Sequence, residues 1–139
     1  MKKFRAVVDT NVLYAGLYSA SGASHQILRL IDRGRIVPQL STTLLFEYEE
    51  VLRRNQRQLK LSDRAVEDVL DGFCRCGEGR KIHFLWRPQL SDPKDDHVLE
   101  LAVAAGGLDI VTYNIKDFTQ ASLFGIRIVK PSKLLGELK

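Results

Sequence analysis

Phe4-Arg5-Ala6-Val7-Val8-Asp9-Thr10-Asn11-Val12-Leu13-Tyr14-Ala15-Gly16-Leu17-Tyr18 sets a short apolar run, a three-residue polar break and a longer apolar run end to end. The first five residues have the length and composition of a buried strand, and the stretch beyond Asn11 suits a helix. Ser19 to Gly22 breaks that helix. A strand that passes directly into helical sequence is the opening of a parallel sheet, provided that the alternation recurs.

It recurs along the whole chain. Ser24 is placed to cap a second helix carrying Ile27, Leu28, Leu30 and Ile31, which Gly34 ends before a strand over residues 36–40. Ser41 or Thr42 starts a long helix whose Leu44, Leu45, Tyr48, Val51 and Leu52 share one face, followed by a strongly polar tail over 53–58. Ser62-Asp63 caps a further helix through Val66, Val69, Leu70 and Phe73, completing a helical hairpin that ends near Gly77 and Gly79. Residues 81–86 are the expected third strand and 88–95 a loop. Asp95-Asp96 then opens an almost wholly apolar, buried helix over 98–105, where the macrodipole favours acids. Gly106-Gly107 ends it, 110–112 is the fourth strand, 114–118 a turn and 127–129 the fifth strand, and Pro131-Ser132 begins a final helix. The expected architecture is a three-layer α/β/α sandwich with a central, mainly parallel five-stranded sheet, one domain over residues 1–139.

Composition narrows the function classes. A chain of 139 residues, 45% hydrophobic and 27% charged, holds one ordinary globular core. No apolar run approaches the roughly 20 residues of a membrane helix, and the run after Met1-Lys2-Lys3 is too short for a signal segment, so a cytoplasmic protein is expected. Cys74 and Cys76 make no disulfide framework and are read as reduced thiols. His25, His83 and His97 are scattered, which excludes the spacing of structural zinc. The net charge of +4 points only weakly to an anionic partner. Setting four acids aside as ligands leaves a more basic exterior, the arrangement that suits nucleic acid.

In parallel sheets ligands bind beyond the carboxyl ends of the strands, which gives the polar residues there most weight. Asp9 follows strand one, Glu47 lies in the helix after strand two, Asp92, Asp95 and Asp96 follow strand three, and Asn114 with Asp117 follows strand four. Acids far apart in sequence thus converge on one edge, where their mutual repulsion calls for a cation such as Mg²⁺ or Mn²⁺. Each acid also has a structural role open to it: Asp9 as a helix cap, Asp95 and Asp96 as complements to a helix dipole. Periodicity sends Glu50 to solvent and leaves Glu47 and Glu49 flanking the apolar face of their helix, without choosing between them.

Four stretches carry a resemblance: Val7-Val8-Asp9-Thr10-Asn11-Val12-Leu13, Leu44-Leu45-Phe46-Glu47-Tyr48-Glu49-Glu50-Val51-Leu52, Asp92-Pro93-Lys94-Asp95-Asp96-His97-Val98-Leu99, and Ile110-Val111-Thr112-Tyr113-Asn114-Ile115-Lys116-Asp117-Phe118. In this order the chain resembles PIN-domain nucleases, in particular the VapC-like toxin components of toxin–antitoxin systems. The resemblance implies an endoribonuclease using Mg²⁺ or Mn²⁺. Asp9, Glu47, Asp96 and Asp117 would be its acids, with Asp9, Asp96 and Asp117 as metal ligands. Thr10, Asn11, Asn114 and Asp95 would support them. It departs from the family at Asn114, where many relatives carry Asp. It also implies an RNA substrate, an antitoxin partner and a homodimer, with a partner surface around Tyr14, Leu17, Tyr18 and the helical hairpin. Arg53, Arg54 and Arg57, with Lys60 and Arg64 beside them and Lys94 and Lys116 next to the acids, are the candidate phosphate contacts.

Two rivals follow from the same residues. A haloacid-dehalogenase-like phosphatase needs a second acid two residues after the first, and that position is Asn11. A non-catalytic PIN-like module for RNA or protein binding draws its support from Asn114, against four intact acids.

Overall fold

The computed structural model describes residues 3–80 and 95–138. Strand β1 (Phe4–Val8) runs from a half-buried Phe4 to a fully enclosed Ala6, Val7 and Val8. Asp9 ends it and serves as the N-cap of helix α1 (Thr10–Tyr18). Helix α2 (Ala23–Asp32) leads to β2 (Ile36–Leu40), every residue of which is buried, as a strand covered on both faces requires. The Ser41 hydroxyl accepts from Leu44 N at 3.1 Å and caps α3 (Thr42–Arg54). The polar tail does not prolong α3: the chain turns at Asn55 into the short α4 (Gln56–Leu59), and Lys60 takes a left-handed conformation with φ 55°. Ser62 caps α5 (Asp63–Cys76) by accepting from Ala65 N.

Next come β3 (Glu78–Gly79), α6 (Asp96–Ala104), β4 (Asp109–Val111), a kinked 3-10 segment (Ile115–Phe124), β5 (Ile128–Val129) and α7 (Pro131–Leu138). The expected turn over 114–118 is therefore the start of a longer helical segment. The strand expected over 81–86, like Asp92 and Lys94, lies outside the described residues, and it is Glu78–Gly79 that pairs with β2. Cys74 and Cys76 are free thiols. No helix among the described residues is long and apolar enough to cross a membrane.

All five strands are parallel, in the order β3-β2-β1-β4-β5. The chain moves one way across the sheet from β1 to β3 and the other way from β3 to β5. With right-handed crossovers, that reversal puts α6 on the face opposite α2, α3 and α5. Helix α6 packs on β1, β2 and β4, whereas α1, α2, α3 and α5 pack on one another and on β2. The result is the expected α/β/α sandwich. The direction reverses between β1 and β4, and the carboxyl ends of these two neighbours form the crevice where α/β sheets bind ligands. Thr112 follows β4 and Asp9 follows β1, so the fold brings residues 103 positions apart to one point.

One expectation fails locally. Ser24 does not cap α2: the helix begins at Ala23 after Gly22, with no side-chain cap, and the buried Ser24 hydroxyl pairs instead with the Tyr113 hydroxyl. A free polar side chain near a helix start reads as a cap only until a tertiary partner competes for it.

Candidate active site

Asp9 is 5% exposed, and its two carboxylate oxygens are held from different directions. Oδ1 accepts from Thr10 N at 2.8 Å, and Oδ2 accepts from the Thr112 hydroxyl at 2.7 Å and from Asn11 Nδ2 at 3.4 Å. The proton on Thr112 has one destination. Thr112 Oγ1 also receives Asn114 N at 3.0 Å and Asn11 Nδ2 at 3.2 Å, groups that can only donate, so its own hydrogen points to Asp9. Asn11 closes the loop by accepting from Tyr113 N at 3.3 Å. The first residues of α1 are thereby stitched to the chain leaving β4. The capping reading of Asp9 is met by Oδ1, while Oδ2 is held by Thr112 and Asn11.

Glu47 stands opposite. Its Oε2 accepts from Thr10 Oγ1 at 2.9 Å and lies 3.2 Å from His97 Nε2 on α6. Tyr48, the next residue, is fully buried, donates its hydroxyl to the Val8 carbonyl at the end of β1, and packs against Phe73 with ring centroids 5.0 Å apart. Its phenol is pushed well above the ordinary value by burial, and further by the charges of Asp9 and Glu47, so it stays a neutral donor. This anchor fixes the rotation of α3 and settles what periodicity left open: Glu47 faces Asp9, while Glu49 pairs with Arg53 at 2.9 Å on the surface.

The electrostatics follow from this enclosure. Burial raises the Asp9 carboxyl above its usual 3.8; the Thr112 and Thr10 hydrogen bonds pull it down, Glu47 pushes it up, and His97 opposes Glu47, with a net rise. A carboxylate stripped of water beside a second carboxylate is the situation a cation relieves. Asp9, Thr10, Asn11, Tyr14, Glu47, Asp95 and Asn114 line one open cavity of about 390 Å³. Asp96, fully buried in the first turn of α6, and Asp117, half-buried, are at the same sheet edge but do not line it.

The cavity offers carboxylate and amide oxygens, the donors of a hard divalent ion. Among the described residues no group of three or more His, Cys, Asp or Glu is gathered closely enough to hold a metal. Two carboxylates suffice for Mg²⁺, which keeps much of its water and uses substrate phosphates for the rest. The residues fit that chemistry through Asp9 and Glu47.

The expected phosphate contacts are divided. Arg53 and Arg54 are engaged by Glu49 and Glu50 one turn earlier, the second pair at 3.0 Å, and Arg64 lies 3.5 Å from Asp68. Arg57 and Lys116 are exposed. Sequence reasoning gives no role to Thr112, and reads Tyr48 only as core. The signal for Thr112 is its position directly after β4, a place where the sequence reading weighs Asn114 and Asp117.

The family comparison supplies the class: a model described as the PIN domain matches residues 5–116, and the chain belongs to the PIN-domain family. Among solved structures the chain is similar to VapBC2 from Rickettsia felis, crystallised bound to a DNA fragment from their promoter. The identity is 14%, over 91% of this chain and 98% of that one, with a TM-score of 0.63, a likeness of fold. No curated protein matches the sequence at a significant level.

Proposed function

We propose that this protein is a metal-dependent endoribonuclease that hydrolyses RNA phosphodiester bonds with Mg²⁺ or Mn²⁺, acting in the cytoplasm as the toxin of a toxin–antitoxin pair. One observation carries the reading: the buried Asp9 carboxylate, aimed by Thr10 and Thr112, faces Glu47 across an open cavity at the switch point of the sheet. Membership of the PIN-domain family supports a nuclease, and the likeness to VapBC2 supports an antitoxin as partner.

Asp9 and Glu47 would hold the ion, with Asp95 and Asn114 on the same cavity wall, and Asp96 and Asp117 would add to the acidic set behind it. When bound, the ion supplies Lewis acidity toward the phosphoryl oxygens and lowers the pKa of a coordinated water. Thr10 orients both carboxylates at once, through its N–H to Asp9 and its hydroxyl to Glu47. Glu47 would also orient the attacking water, and His97 Nε2, 3.2 Å away, keeps its carboxylate in position. Thr112 and Asn11 keep Asp9 from turning toward bulk water. The stacked Tyr14 and Tyr18 rings, 5.9 Å apart, belong to the partner surface, for an antitoxin or a second copy.

The test is incubation of the purified protein with a pool of cellular RNAs under Mg²⁺, Mn²⁺ or chelator, beside Asp9→Asn. Cleavage that needs metal and disappears in the folded variant is the expected result. Wild-type cleavage by Asp9→Asn, indifferent to chelator, would overturn it. The second reading, a binding module, is favoured by Asn114 on the cavity wall where an acid is usual; RNA bound but uncut under every metal condition would establish it.

A further inference from the structure

A second concave surface lies between α2 and α7 and shares no lining residue with the Asp9 cavity. It has a volume of about 400 Å³. His25 and Arg29 border it from α2, Arg33 from the residue that caps that helix, Arg35 from the approach to β2, and Leu135 and Leu138 from α7. Arg33 and Arg35 precede β2, so this groove reaches the end of the strands opposite Asp9.

Among the described residues no carboxylate lines it, and Arg29 and Arg33, both exposed, form no ion pair. Asp32, the only acid of α2, borders a different groove, against α1 and α5. Glu137 of α7 is taken by Arg127 at 2.8 Å. Arg35 donates from Nη2 to the Leu138 carbonyl at 3.0 Å, yet its buried Nε–H has no acceptor among the described residues. Buried donors are normally satisfied, and three like charges gathered in a concavity repel one another until an anion enters. The contrast with the hairpin is direct, since Arg53 and Arg54 already have their carboxylates.

We infer that this groove is an RNA-binding exosite that holds the phosphate chain of single-stranded RNA away from the cleavage cavity. Four residues of helix rise about 6 Å, which puts Arg29 and Arg33 roughly one extended nucleotide apart along the groove. The leucines on the α7 side offer an apolar wall to a base while the guanidiniums engage its phosphates. The inference rests on the nuclease reading for the identity of its ligand, and its test does not require cleavage.

A short fluorescently labelled single-stranded RNA is titrated with the protein in chelator, across a salt series, and followed by anisotropy. Arg29→Ala/Arg33→Ala should bind at least about tenfold more weakly and reduce the slope of log affinity against log salt by about 0.7 for each phosphate that is no longer neutralised. Arg29→Lys/Arg33→Lys, which preserves the charge, should retain most of the affinity and guards against misfolding. Arg53→Ala/Arg54→Ala removes the same formal charge from compensated pairs and should change binding much less. Wild-type affinity in the α2 variant, or equal losses in the two alanine pairs, overturns the exosite. Tighter binding of a short polyglutamate than of RNA, lost in the α2 variant, overturns it in favour of an acidic peptide. Cleavage surviving in Asp9→Asn would refute the nuclease alone, because the chelated binding data stand apart from it.

Discussion

Thr112→Val removes one oxygen and keeps the shape, which isolates the hydroxyl that aims Asp9. In the wild type this hydroxyl donates to Asp9 Oδ2 at 2.7 Å and receives Asn114 N and Asn11 Nδ2. A hydrogen bond to a charged group contributes about 1.5–3 kcal/mol, and a bond between neutral groups about 1 kcal/mol. At neutral pH without metal the variant should therefore lose about 1.5–3 kcal/mol of stability. The sign of its pH dependence follows from Asp9. Its folded carboxyl titrates above 3.8, so the folded state binds the proton more readily, and stability is lost as pH rises from there through the folded value. Without the Thr112 bond the folded value rises further, and the loss deepens and extends to higher pH. As pH falls below the ordinary 3.8 and Asp9 takes up its proton in both proteins, the difference should shrink to about 1 kcal/mol. Urea unfolding in chelator at the two pH values measures this, with Thr112→Ser expected to recover most of the loss. Mn²⁺ affinity should fall by about 10–100-fold, the usual weight of a partner that orients a ligating carboxylate. Equal midpoints at neutral pH, or a difference indifferent to pH, would refute the reasoning.

Three further outcomes follow from the geometry. Glu47→Gln should abolish metal-dependent RNA cleavage while Glu49→Gln, at a surface pair worth at most about 1 kcal/mol, should leave it near wild type; equal effects would remove Glu47 from the site. Asn114→Asp places a charge on the cavity wall and should tighten Mn²⁺ binding several-fold by calorimetry, whereas Asp117→Asn, off the wall, should weaken it less than Glu47→Gln does; the reverse order would return the fourth ligand to Asp117. Gly16→Ala would drive a methyl to 2.6 Å from Leu28 Cδ1 and 2.9 Å from the Ser24 carbonyl, forcing α1 and α2 apart at about 1–3 kcal/mol, and an unchanged melting temperature would show that this contact yields freely.

The sequence by itself determined the layer architecture, because apolar runs of strand length separated by helical periodicity admit little besides a parallel sheet with covered faces. It also made Asp9 and Asp95 legible as candidates, since each stands at the start of a helix, and both line the same cavity. Caps at Ser41 and Ser62 were legible for a related reason: the donor groups they serve lie three residues away in the same chain. Tertiary structure decided what depends on partners distant in sequence. The choice of Glu47 over Glu49 was made by the Tyr48 hydroxyl reaching the Val8 carbonyl 40 residues away, which sets the rotation of α3. The role of Thr112 came from β4 lying beside β1, a pairing no local pattern encodes. The strand order likewise turned Ser24 from a helix cap into a partner of Tyr113, and among the described residues Arg29 and Arg33 have no ion pair while Arg53 and Arg54 found their acids one turn away. Local hydrogen bonds and periodicities are properties of neighbouring residues, whereas the orientation of a carboxylate and the compensation of a charge are properties of the space into which the chain folds.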